Sequence, residues 1–505
     1  MCDTLVISKR LSANRENILA KNSDRPLGEC QLPELFPAGT VRKLPAFVRE
    51  EDRSLFEGTG LSPEGSRFAV LGSRPYWLYG FEMGANEKGL FIGNEAEGSR
   101  CPAEPEDGIL GMDLLRYALE SCSDAKEAIG RISVLLQKYG QSANASRLFD
   151  RRYENTCILA DPKELWVMET AGRHWAAKKI TWFEAVSNCY TIGTDYDLCS
   201  DGMEAYVREN RLLHPDDPVD FSKAFTRPAV RQRFSVPRRN RMIKLVYEIL
   251  TGRLSEEEAG DLMAGITDSG DDSDLKILKE LQKTDARISP ADLPYIFRDH
   301  FEEEINEFRF GPLGGENVSI CMHANTQEEA QTAASMIMTY DKQLGFRFHW
   351  APASPCTGIY LPVWWVRTET AVSPGPDIPE ILRRGGEFYD PESLWWVMER
   401  LVTLAGVCEE RYFDPVLRQM AAVETHAERL AADAEKEASR LIRSGKTEEA
   451  QKLLDRITAQ LAGELYSTAC CLCDSVSEEI AAAGGLYGPR KEFTAAFAAR
   501  TRMPV

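Results

Sequence analysis

The sequence has no apolar run approaching the roughly 18 uninterrupted residues of a membrane span. The segment Met1 to Arg10 lacks the charged stretch and following apolar core of a secretory leader. The expectation is a cytoplasmic chain with no membrane partner. Positive charge is scarce as well: 60 Lys and Arg stand against 79 Asp and Glu, for a formal net charge of -19. Such a field repels phosphate backbones and anionic surfaces. The basic run from Arg227 to Arg241 is short and interleaved with proline, so nucleic acid is not expected as a partner. Paired cysteine spacing is also missing. Thirteen cysteines, an odd number, are scattered without the regular intervals of a disulfide framework, which fits a reducing compartment. In that compartment the sequons at Asn144 and Asn317 carry no meaning. There is no internal repeat and no low-complexity linker.

What is present is length and pattern. At 505 residues the chain exceeds one ordinary hydrophobic core, which implies a large domain plus a second element, or two domains. Cys2 to Ser8 alternates like a strand, and a second apolar run at Asn17 to Lys21 makes a hairpin. A turn centred near Ser12 and Ala13 makes opposed residue numbers sum to about 25, which sets Cys2 across from Ser23. Further strands are read at Phe68 to Gly72, Tyr76 to Met83 and Gly89 to Asn94. A helical pair covers Met112 to Tyr139, broken near Ser121 to Asp124. A four-strand meander follows at Thr156 to Ala160, Glu164 to Glu169, His174 to Lys179 and Trp182 to Ser187. Asp216 to Pro312 reads as mostly helical, with an acidic loop near Asp268 to Asp274, and strands return at Val318 to His323 and Gly358 to Pro362. Antiparallel strands mixed with helix pairs indicate a layered α+β fold. After about Pro376 the chain becomes rich in Ala, Leu, Glu and Arg at helical spacing. Gly445 and Thr447 there mark the connection of a long helical hairpin that packs on the body or joins two copies of the chain.

Cys2 is the residue with the most chemistry. Loss of Met1 would leave a thiol and a free α-amine on one residue, and small residues such as Cys at position 2 permit that loss. The thiolate is a nucleophile, and an amine with a pKa of about 7.7–8.0 can take the thiol proton. An amidase built on it needs oxyanion donors and a group to hold the amine. Asp24, placed near the N-terminus by the hairpin register, is read either as that group or as a turn residue before Pro26. Asn86 and Asn188 are read either as amide donors or as ordinary turn residues. Glu82, Glu87 and Glu95 are candidates to bind a substrate ammonium, or solvated strand-edge carboxylates. Cys321 and His323 alternate with apolar residues and read as core or pocket lining, although His323 and His349 could pair with Cys321 or Cys356. The Cys470, Cys471, Cys473 cluster reads as helix packing, with no His nearby in sequence.

The motifs Lys21-Asn22-Ser23-Asp24-Arg25-Pro26, Gly84-Ala85-Asn86-Glu87-Lys88-Gly89-Leu90, Gly93-Asn94-Glu95 and Leu110-Gly111-Met112-Asp113 follow Cys2 in order. Ser187-Asn188, Ile320-Cys321-Met322-His323, Pro355-Cys356 and Leu361-Pro362 continue the series to about residue 370. Together they resemble the dipeptidase A and secernin group of N-terminal-nucleophile hydrolases. The resemblance implies a four-layer αββα sandwich over 2–375, with 376–505 a helical extension packed on it. It also implies amide hydrolysis through a thioester on Cys2, with the α-amine as base, Asp24 positioning it, and Asn86 and Asn188 at the oxyanion. The wider family includes penicillin V acylases and conjugated bile acid hydrolases. Where those relatives usually carry Arg before the Asn-x-Asp stretch, this chain has Lys21, whose ammonium lacks the planar bidentate fork. A later active-site arginine of that family corresponds to Arg238, with Arg231 and Arg233 as close competitors.

The resulting expectation is a cysteine dipeptidase without metal or cofactor, binding a small peptide or acyl-amino acid, with Lys21, Glu82 and Glu95 at the substrate. Two alternatives are an acylase acting on non-peptide amides and a secernin-like interaction protein without turnover.

Overall fold

The computed structural model describes the chain except for residues 46–47, 102–107, 142, 149, 228–230, 253–285, 303–308 and 311–317. The expected acidic loop at Asp268 to Asp274 lies outside the described residues. The strands are β1 (Cys2–Ile7), β2 (Ile18–Pro26), β3 (Gln31–Phe36), β4 (Val70–Pro75), β5 (Met83–Asn86), β6 (Phe91–Glu97), β7 (Glu154–Ala160), β8 (Leu165–Ala171), β9 (His174–Lys179), β10 (Phe183–Val186), β11 (Leu198–Cys199), β12 (Ala330–Asp341), β13 (Gly345–Pro352) and β14 (Leu361–Trp365). They form two sheets, one ordered β10-β1-β2-β12-β13-β14 and the other β11-β9-β8-β7-β6-β5-β4-β3. All their pairings are antiparallel.

Side-chain alternation decides what each sheet faces. Val6 and Leu19 of the first sheet share a core with Met83, Phe91, Ile158 and Val167 of the second, so these faces meet. Leu5, Ile7, Ile18 and Ala20 point the other way. They pack on α5 (Arg231–Thr251) and α6 (Leu293–Phe297) through Met242, Leu245, Val246 and Ile296. Val70, Ile92, Leu159 and Trp166 of the second sheet turn outward to α1 (Gly111–Ser121) and α2 (Ala125–Tyr139). Two short helices, α3 (Met203–Glu209) and α4 (Phe221–Phe225), precede α5. The remainder is helical: α7 (Glu380–Arg383), α8 (Leu394–Ala405), α9 (Glu409–Arg443), α10 (Thr447–Ala482) and α11 (Lys491–Thr501). The expected α+β character and helical C-terminal region are both present.

The hairpin register is the one the turn arithmetic gives, with Cys2 opposite Ser23. Gly445 takes φ 76° between α9 and α10, the left-handed conformation glycine tolerates. The helix cap is Lys446, so Thr447 is the first helical residue and not the cap. Three strand expectations differ. Most of the stretch from Tyr76 to Met83 is irregular, and only Met83 enters a strand. Val318 to His323 is an irregular segment ahead of β12. The fourth strand of the meander, β10, leaves its neighbours and pairs with β1 in the other sheet.

Candidate active site

Strand parity brings the candidate residues to the end of β1. Cys2, Thr4 and Val6 share the face toward the second sheet, as do Leu19 and Lys21 on β2. Cys2 is 4% exposed. The Lys21 ammonium is fully buried, 3.6 Å from Glu95 Oε1 and 3.9 Å from Glu82 Oε2. A side chain on Gly93 would come within 3.2 Å of the Lys21 stem, so a glycine on β6 opens its path. Burial disfavours the Lys21 ammonium, yet the negatively charged forms of Cys2, Glu95 and Glu82 outweigh that and hold its pKa above the usual lysine range. Burial pushes the Cys2 thiol up to about 12, against the opposing pull of Lys21. The resting thiol is therefore protonated, and its activation needs a base. Burial also raises Glu95 to about 8.

The opposite parity of β1 points Asp3 at α5, where it meets the buried Arg238: Nη1 donates to Asp3 Oδ2 at 2.6 Å. The same guanidinium donates to the Cys2 carbonyl at 3.2 Å and to Asn188 Oδ1 at 2.8 Å, and lies 3.7 Å from Asp24 Oδ2. Asn188 Oδ1 also accepts the Cys2 N–H at 2.9 Å, while Nδ2 donates to the Ala96 carbonyl at 2.9 Å. Two donors on the oxygen fix the amide's orientation. Asp24 Oδ1 accepts from Thr332 Oγ1 at 2.7 Å, and burial raises its pKa. The Asp24 N–H donates to the Met1 carbonyl at 2.9 Å, and the Met1 amine donates to the Asp24 carbonyl at 3.3 Å.

A narrow crevice opens over this cluster, lined by Met1, Cys2, Asp24, Glu82, Asn94 and Arg151, among others. Cys2, Lys21, Asp24, Glu82, Glu95, Asn188 and Arg238 thus come together. Asn86 does not. It faces α1, with Nδ2 donating to the Leu119 and Cys122 carbonyls at 2.8 and 2.6 Å and Oδ1 accepting from Lys88 N and Leu90 N. Those bonds tie a β-turn to a helix C-terminus on the far side of the sheet. Glu95 and Lys21 lie beneath Cys2 and not at the crevice wall, since Glu95 bonds Thr4 as well as Lys21. Glu82 does line the crevice but is shared with Arg25, at 2.9 Å. The side chains of Arg231 and Arg233 lie outside the described residues.

Sequence reasoning missed Asn94, Arg151 and Tyr153 as crevice residues. With its amide nitrogen turned toward Glu82, Asn94 donates to Glu82 Oε2 and to the Glu82 carbonyl at 3.0 Å each. Its signal was available: Asn94 stands in the middle of β6, directly beside Glu95.

The model of peptidase family C69 matches residues 68–320, half of the chain. The chain belongs to peptidase family C69. The match begins beyond β1 and β2, so the Cys2 hairpin stands on its own geometry. A protein named Dipeptidase from Bifidobacterium longum (strain NCC 2705) is 24% identical over 242 residues, which are 42% of this C69 chain and 43% of that relative. The chain therefore spans less than half the length of that curated relative. Among solved structures, a mutant of the conjugated bile acid hydrolase from Clostridium perfringens is 13% identical, covering 70% of this chain and 89% of its own, with a TM-score of 0.32. Penicillin V acylase from Agrobacterium tumefaciens is 12% identical, covering 74% and 90%, with a TM-score of 0.34. Among the described residues of the C69 chain, no helix is long and apolar enough to cross a membrane.

Proposed function

We propose that this chain is a cysteine hydrolase of the N-terminal-nucleophile type, cleaving amide bonds of dipeptides or short peptides. The two sheets with outer helices are then its αββα sandwich over 2–375, and the helices of 376–505 are an extension packed on it. The observation that carries the reading is the nitrogen of Cys2, held by Asn188 Oδ1 at 2.9 Å beside Arg238 and Asp24, with the thiol of the same residue over Lys21. A structural strand end needs none of these buried charges.

Once Met1 leaves, the freed amine occupies the place of the Cys2 N–H. In its neutral form it takes the thiol proton, and the thiolate attacks the substrate carbonyl beside the Lys21 ammonium. Asn188, with its nitrogen engaged by Ala96, holds the amine and not the oxyanion. The Asp24 N–H, which binds the Met1 carbonyl, becomes available to an acyl oxygen, and Asn94, once its amide turns from Glu82 into the crevice, replaces Asn86 as the side-chain donor. The amine returns its proton to the leaving nitrogen, and water cleaves the thioester. Arg151 at the crevice supplies a cation for a substrate carboxylate.

Intact mass of the purified chain, compared with Cys2→Ala and followed by a panel of dipeptides and acyl-amino acids, tests this. Loss of Met1 with turnover abolished in the variant is expected. Retained Met1, or turnover equal in both proteins, would overturn the mechanism.

A further inference from the structure

Four side chains from three separate segments of the chain meet in the core outside the lining of the Cys2 crevice. His300 follows α6. Cys321 and His323 lie on the irregular segment ahead of β12, and Cys356 sits in the 3-10 turn Pro355–Thr357 between β13 and β14. All four are buried, and their ligand-capable atoms lie within 4.8 Å of one another. His300 Nε2 and His323 Nε2 are 3.1 Å apart, and His323 Nε2 is 3.4 Å from Cys356 Sγ and 4.0 Å from Cys321 Sγ. A zinc ion with Zn–N near 2.05 Å and Zn–S near 2.3 Å in a tetrahedron has edges of about 3.3 Å for N to N and about 3.6 Å for N to S. The two observed N-to-S edges bracket the latter value, and the N-to-N edge lies just under the former. We propose that His300, Cys321, His323 and Cys356 form a closed, structural zinc site.

The surroundings suit a metal. Glu302 Oε1 lies 3.1 Å from His300 Nδ1, and its second oxygen accepts the His300 N–H at 2.9 Å. A carboxylate on Nδ1 keeps the proton there and turns the Nε2 lone pair inward, the arrangement common behind zinc-bound imidazoles. The ring of Phe310 lies 4.3 Å from that of His323, and Phe413 stands edge-on to His300 at 6.3 Å. Four protein ligands fill the tetrahedron, and these rings wall two of them, as a structural site requires. The His300 loop is itself fixed: Arg241 grips Asp299 at 2.6 Å, Asp299 accepts the Cys321 N–H at 3.0 Å, and Phe301 is held at φ 59°. Zinc would displace the two thiol protons to solvent, leaving a neutral centre of one dication, two thiolates and two neutral imidazoles. A neutral centre is far less costly to bury than separated charges.

The site braces the wall behind the crevice. Met322, between two of the ligands, donates its N–H to Thr332 Oγ1 at 2.9 Å, and that hydroxyl donates to Asp24 Oδ1. The Ile320 carbonyl accepts from Asn22 Nδ2 at 2.9 Å. The inference does not depend on amide hydrolysis.

Elemental analysis of the full chain, purified without chelator or histidine tag, is expected to find one zinc per chain. Replacement by Co2+ should give the visible d–d and near-ultraviolet thiolate charge-transfer bands of a tetrahedral sulfur and nitrogen site. Cys321→Ser and Cys356→Ser should lose the metal, and Cys473→Ser should keep it. Zinc far below one per chain after growth and dialysis in zinc overturns the proposal, as does a Cys321–Cys356 disulfide in the peptide masses. Should the variants fail to fold, the metal content and cobalt spectrum of the unaltered chain decide it. A zinc-loaded chain without peptidase activity would count against the catalytic reading alone.

Discussion

Asn86 and Asn94 sit on the adjacent strands β5 and β6, and their neighbours give them opposite duties. Asn86 satisfies two carbonyls at the end of α1 and two N–H groups of its own turn, and all but the bond to Lys88 N are out of solvent. Asn86→Ala leaves buried backbone groups unpaired, so urea unfolding should show a loss of about 2–3 kcal/mol, with the folded fraction still active. Asn94→Ala should cost less stability than Asn86→Ala, because Glu82 keeps its Arg25 partner, and should lower kcat/KM roughly 100-fold or more, as loss of an oxyanion donor does. The reverse pattern would return the oxyanion role to Asn86. The thiol makes a second demand at this scale. Burial holds it protonated at neutral pH, and burial at the same place brings the Met1 amine down to about 6. The freed Cys2 amine shares that environment, so it should titrate below its ordinary value of about 7.7–8.0. A base works only when neutral, so kcat/KM should fall as pH drops through this pKa and level off above it. A rate unchanged between about pH 5 and 9 would argue against the amine as base.

At the scale of elements, β14 is the edge of its sheet and would offer unpaired backbone groups to any passing strand. Helix α10 covers them with side chains. Gln451 Nε2 donates to the Trp364 carbonyl and Gln451 Oε1 accepts the Val366 N–H, each at 2.8 Å, while Thr458 Oγ1 donates to the Pro362 carbonyl at 2.8 Å. Pro362 itself has no N–H to leave open. The helix thus stands in for a missing strand. Gln451→Ala should cost about 2–3 kcal/mol in urea unfolding and expose the edge, seen as faster aggregation on warming. Unchanged stability and aggregation would mean the helix only abuts the sheet. Elements whose own residues carry a period were the legible ones. The hairpin of β1 and β2, the pair α1 and α2, and the long helices α9 and α10 announce themselves by alternation or by helical spacing. β12 does not: its first ten residues are buried on both faces, as those of β1 and β2 are, but AQTAASMIMT mixes small, polar and apolar residues with no period to read. The same holds for the site. Strand register sets Cys2 by Ser23 and Asp24, whereas Asn94 and the meeting of His300 with Cys356 depend on tertiary approach.

The whole molecule buries carboxylates that lack enough partners to keep them ionised. Burial raises Glu399 to about 8, where Gln331 Nε2 at 2.9 Å is its hydrogen-bond donor, and raises Glu169 and Asp113 each to about 7. In the unfolded chain such groups ionise near pH 4. Between those values the folded state keeps protons that the unfolded state has released, so stability falls as pH rises across that window. The direction is opposite to that of salt-bridged carboxylates, whose contribution grows with pH. A melting temperature higher at about pH 5.5 than at about pH 8.5 is expected for the intact chain. Glu399→Gln retains an amide that can still meet Gln331 and removes one of the ionisations. It should raise the melting temperature at the alkaline end, leave the acid end almost unchanged, and so flatten the slope. An equal shift at both ends would show that repacking around α8, and not the proton, governs the effect.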